Sequence, residues 1–133
     1  MRRLTALSFA LAGALAAAPA LGQPEISRAE IFEIAVSGVG SPYVWGGGCW
    51  DPGDRSWRGA DCSGFVAKAW QVPDRSDVTV CSHPYSTWNF YNESTHWDHI
   101  DRGAAERGDA YVRRSDGAGH VVLFASGDLS LIH

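Results

Sequence analysis

Residues 61–70, DCSGFVAKAW, place a thiol where a helix begins. Phe65, Val66, Ala69 and Trp70 recur at helical spacing, and Gln71-Val72-Pro73 ends the run. Asp61 is the natural cap, which makes Cys62 the first helical residue. Gly64 forms helix poorly, so its presence there signals close approach of another backbone or of a substrate. A thiol at this position has four readings: a small buried hydrophobe, half of a disulfide, a metal ligand or a nucleophile. The positive end of the helix dipole and the unpaired first-turn amides favour the thiolate, which is the reactive form.

The flanking sequence narrows the setting. Residues 1–22 hold two arginines, a long apolar run and then small residues, the layout of a secretory signal peptide and not of a membrane anchor. Residues 23–133 then form a single domain, exported to the periplasm or beyond. Without the leader, 9 basic residues face 15 acidic ones, a net charge of −6 that disfavours a nucleic-acid partner. Three cysteines in an exported chain imply an oxidising setting and one thiol left over.

Helix signals come first along the mature chain and strand signals last. Ser27 and Glu30 have capping-box spacing, with Ile26 and Ile31 as the staple around it. Gly38, Gly40 and Pro42 end that helix. Residues 41–59 read as loop, and a short helix is expected from Ser86. Alternation predicts a strand over 95–100, then further strands over 108–114, 119–126 and 128–133. Helices followed by antiparallel strands make an α+β fold.

A nucleophile needs a base within reach and a third group to orient that base. His120 opens one predicted strand and His133 ends the next. A two-residue turn at Ser126-Gly127 would set them directly opposite each other on one face. That face would pack on the Cys62 helix, with Val122, Phe124, Leu129 and Leu131 as an apolar floor. A turn at Gly127-Asp128 would instead leave His120 without a partner.

SPYVWGG, DCSGFV, RGDAYVR and GHVVLF, in that order, resemble the NlpC-type cell-wall peptidases over residues 27–133. The resemblance implies a papain-like single domain, with the nucleophile helix packed on a central antiparallel sheet. It implies a monomeric cysteine hydrolase of peptidoglycan stem peptides that works without cofactor or metal. By the same resemblance Cys62 is the nucleophile, His120 the general base and His133 the orienting residue. Tyr43 and the Cys62 amide would stabilise the oxyanion, while Asp61 and Ser63 would bind the amino end and acidic residue of the stem. Apart from the resemblance, the six tryptophans read mainly as core, although Trp50 and Trp57, in a polar loop, would suit the lining of a groove for sugar or peptide. With Cys62 the free thiol, a Cys49–Cys81 disulfide would tie together the segments on either side of its helix. The family continues with more sheet past its third catalytic residue, whereas this sequence ends at His133, so either the last strands are missing or the domain is a shortened version.

Cys81, His83, His96 and His99 invite a zinc reading, but their spacing fits no closed structural site. Two other functions remain open: a cell-wall binding relative without turnover, and a thiol hydrolase acting on another amide or ester.

Overall fold

The structure, a computed structural model, describes residues 25–126 and the backbone of 131–132. The expectations for residues 1–22, for the Ser126-Gly127 turn and for His133 reach outside those residues. Three helices precede a three-stranded antiparallel sheet, so the fold is α+β as expected.

The first helix, α1 (Arg28–Gly38), starts where its sequence says. The Ser27 side chain accepts from the Glu30 N–H, and the flanking Ile26 and Ile31 are both buried. The reciprocal half of the box is not formed, because the Glu30 carboxylate pairs with Arg75. The second helix, α2 (Cys62–Ala69), is buried all round and lies between α1 and the sheet. Trp70 follows it, fully buried against Phe90 and Trp97, with its indole N–H donating to the Gly108 carbonyl at 2.7 Å. The third helix, α3 (Thr87–Asn92), begins after Ser86 as predicted, with Asn89 accepting from the Ser86 N–H.

The sheet has the order β1 (Ala110–Ser115), β2 (Ala118–Phe124), β3 (Leu131–Ile132). Asp116 and Gly117 join β1 to β2 with positive φ at both positions, as a two-residue hairpin turn requires. Alternation along β2 divides its side chains between two faces. Val121 and Leu123 enter the core shared with Phe65 and Val66 of α2, and Gly119 faces Thr87 of α3. His120 and Val122 point to the other face.

Three expectations are corrected here. Residues 95–100 form no strand, because the Glu93 carbonyl binds both the Trp97 indole N–H and the His99 ring, which curls the segment. The ladder pairs Leu123 with Ile132 and Phe124 with Leu131, two residues away from the register that would set His120 opposite His133. The β2 face packed on α2 is that of Val121 and Leu123, so Val122 and Phe124 are not the floor beneath Cys62.

Residues 106–109 tie the two layers together. Asp109 is fully buried, accepts from the Glu106 N–H at 2.8 Å and pairs with Arg28 at 2.7 Å. Burial pushes the Asp109 carboxyl up, although the Glu106 amide and Arg28 pull it back. Arg28→Ala is expected to cost about 3 kcal/mol at pH 7 by leaving that charge unpaired. The deficit should shrink in acid, where a carboxyl with a raised pKa takes up its proton and no longer needs the cation. Urea unfolding of both chains at pH 7 and pH 4 measures it.

Candidate active site

The site is built around the turn that starts α2. The Asp61 carboxylate accepts from the Gly64 N–H at 2.8 Å, which caps the helix as expected. It also accepts from the Gly46 N–H at 3.1 Å and the Ser63 hydroxyl at 3.2 Å. His83 Nε2 completes the set, 2.7 Å from one carboxylate oxygen and 2.8 Å from the other. Burial pushes the Asp61 carboxyl up, but the His83 bond and the Gly64 and Gly46 amides outweigh it and hold it below the usual range.

Glycine is required where the loop crosses this turn. A Cβ at Gly64 would strike the Gly47 carbonyl, and one at Gly59 would strike the Pro42 carbonyl. The close backbone approach expected at Gly64 is therefore provided by residues 47–48. A bridge between Gly48 and Ala60 and the Cys49–Cys81 disulfide fix the same loop.

Cys62 is the first residue of α2, is mostly buried and carries the free thiol. Its N–H donates to the Tyr43 hydroxyl at 3.4 Å, a long bond near the geometric limit. Burial raises the Tyr43 pKa, and the charges of Cys62 and Asp61 add to this while the Cys62 amide opposes it. The phenol therefore stays protonated at neutral pH, keeps its donor and is half-exposed at the mouth.

The other expected residues divide. Trp57 is exposed, with the Arg58 guanidinium 3.9 Å above its ring. Trp50 is 1% exposed, packs against Phe65 and donates to Ser37, so it is core and cannot line a groove. His120 sits on the far face of β2, where with Tyr111, Arg113 and Val122 it lines a cavity of about 920 Å³. Cys62 does not border that cavity. The side chain of His133 lies outside the described residues.

Sequence reasoning missed His83. It was weighed only as a zinc ligand, yet it reaches Asp61 because Cys81, two residues earlier, is fixed to Cys49. The remaining side chains of that zinc reading have other partners too: His96 packs on Tyr85 and Trp97, and His99 bonds the Glu93 carbonyl. Trp45 was also missed, and at 88% exposure it is the most open large apolar side chain described.

A family model described as NlpC/P60 family matches residues 40–133, which include the whole of this turn. The chain belongs to the NlpC/P60 family. No curated protein and no solved structure matches it. NlpC/P60 proteins are generally cysteine peptidases associated with the cell wall. No helix among the described residues is long and apolar enough to cross a membrane.

Two outcomes follow from this geometry. A carboxyl held below its ordinary range lends stability above the unfolded pKa and loses it as pH falls through the folded value. Asp61→Asn should therefore flatten the loss of stability between about pH 5 and pH 2, followed by urea midpoints. Closing a loop across a separation of 32 residues, the Cys49–Cys81 bridge should contribute about 3–4 kcal/mol by chain entropy. Replacing both cysteines with serine measures that. Non-reducing peptide mapping that linked Cys62 to either partner would refute the pairing.

Proposed function

We propose that the protein is an exported cysteine peptidase with a papain-like arrangement, hydrolysing amide bonds in peptidoglycan stem peptides. The observation that carries this reading is Cys62: a free thiol at the first position of a capped helix, beside Tyr43, within the segment the family model covers. The disulfide fits an oxidising compartment outside the cytoplasm.

In this reaction the Cys62 thiolate attacks the amide carbonyl carbon, and the carbonyl oxygen takes the negative charge. The Cys62 N–H and the Tyr43 hydroxyl receive that oxygen, and one such donor is worth about 3–4 kcal/mol in the transition state. Collapse of the intermediate breaks the C–N bond, with a proton delivered to the leaving amine. Water then hydrolyses the thioester and regenerates the thiol. Ser63 would bind the stem peptide, with Asp61 and Trp57 beside it. In this reading His120 would carry the proton transfers and His133 would orient it.

One observation favours a second reading, a cell-wall binding relative without turnover: β2 presents His120 to the face away from α2. Activity decides between the two readings. Digestion of purified peptidoglycan, followed by mass spectrometry, should give new amine ends with wild type and none with Cys62→Ala. His120→Ala should lower kcat by at least about a hundredfold if it is the base. Stem-peptide binding without any product from wild type would establish the second reading.

A further inference from the structure

His83 saturates the carboxylate beside the nucleophile. A carboxylate offers about four acceptor sites. Those of Asp61 are taken by the Gly46 and Gly64 amides, the Ser63 hydroxyl and His83 Nε2. An ammonium group seeking Asp61 would have to displace one of these donors. The two amides belong to the glycine loop and to the α2 cap, and losing either would undo the turn. His83 is the one donor from outside both segments, and it is tethered. Its neighbour Cys81 is bridged to Cys49, and a Cβ at Gly48 would lie 2.9 Å from the His83 Cβ. Only 16% of the His83 side chain is exposed, and its Nδ1 is buried without a hydrogen-bond partner among the described residues.

The adjoining cleft has the matching chemistry. It holds about 270 Å³ and is walled by Val44, Trp57, Arg58, His83, the Cys49–Cys81 disulfide and glycine backbone. No carboxylate among the described residues lines it, and the permanent charge there is the Arg58 guanidinium. A cationic amino end entering here meets a guanidinium and no free anion. An acylated amino end carries no charge and presents a carbonyl that can accept hydrogen bonds. The space suits a small acyl group.

We propose that His83 is a positioning residue that sets specificity, closing Asp61 to a free ammonium so that the site selects peptides whose amino end is acylated. The proposal rests on the stem-peptide reading above. It makes the acylated stem, still joined to the wall, the preferred substrate over a released peptide with a free amino end.

The probes are a synthetic stem tripeptide with a free amino end and the same peptide N-acetylated. Calorimetry on the Cys62→Ala protein gives affinities, and wild type gives kcat/KM. The acetylated form should be favoured by at least about fivefold in both measurements, near 1 kcal/mol. His83→Ala should bring the ratio below that threshold. His83→Gln should keep it, because its amide N–H can still donate to Asp61. A wild-type ratio under about fivefold, a preference for the free amine, or no binding of either probe overturns the proposal whether or not the variants fold. A ratio unchanged by His83→Ala overturns it as well. Failure of the peptidase reading looks different: the binding preference persists on Cys62→Ala while wild type makes no product.

Discussion

Asp61 joins three stretches of chain at one point, which the Cys49–Cys81 disulfide and the Gly48–Ala60 bridge also hold close. Gly46 belongs to the loop after α1, Ser63 and Gly64 to the first turn of α2, and His83 to the segment behind the disulfide. A carboxylate with four donors resists protonation and rotation, so the orientation of the residue after it, Cys62, is set by the same bonds. The glycines are a consequence of this hub. With the loop drawn in far enough for the Gly46 amide to reach Asp61, neighbouring backbones touch, and Gly47, Gly59 and Gly64 lack room for a Cβ.

What was legible in the sequence is what local chemistry decides. The caps at Ser27, Asp61 and Ser86 each depend on side chains within three residues, and all three start helices where expected. The first two strands after residue 108 follow from alternation, and they appear within two residues of their expected starts. The disulfide also agrees with expectation. The failures concern relations between segments. Residues 95–100 alternate like a strand, but their bonds to the Glu93 carbonyl curl them and Trp97 is drawn into the core instead. Trp50 sits in a polar loop by composition and is core by packing, because a neighbouring Gly38 leaves room for its ring against Phe65.

The face of β2 illustrates the same limit at the site. Both registers considered for the last hairpin keep residues 120, 122 and 124 on one face, so parity alone could not say which face meets α2. Packing decides it. Val121 and Leu123 fit against Phe65 and Val66, and Gly119 gives Thr87 of α3 the space to approach. His120 takes the opposite side for the same reason, and the imidazole held beside the Cys62 turn is His83. A motif names residue types in order, whereas the fold determines which of them share a surface.

The hub also sets the polarity around Cys62. Four donors spread and stabilise the negative charge of the neighbouring Asp61 carboxylate. Of the α2 first-turn amides, Gly64 is spent on Asp61 and Phe65 on the Asp61 carbonyl within the helix. The Cys62 N–H is spent only on its 3.4 Å bond to Tyr43. A substrate oxygen entering there would replace a weak acceptor and release the Tyr43 hydroxyl to donate in turn. The two groups are held together in the unliganded protein, and in the peptidase reading proposed above the loose bond between them is where the developing oxyanion would fit.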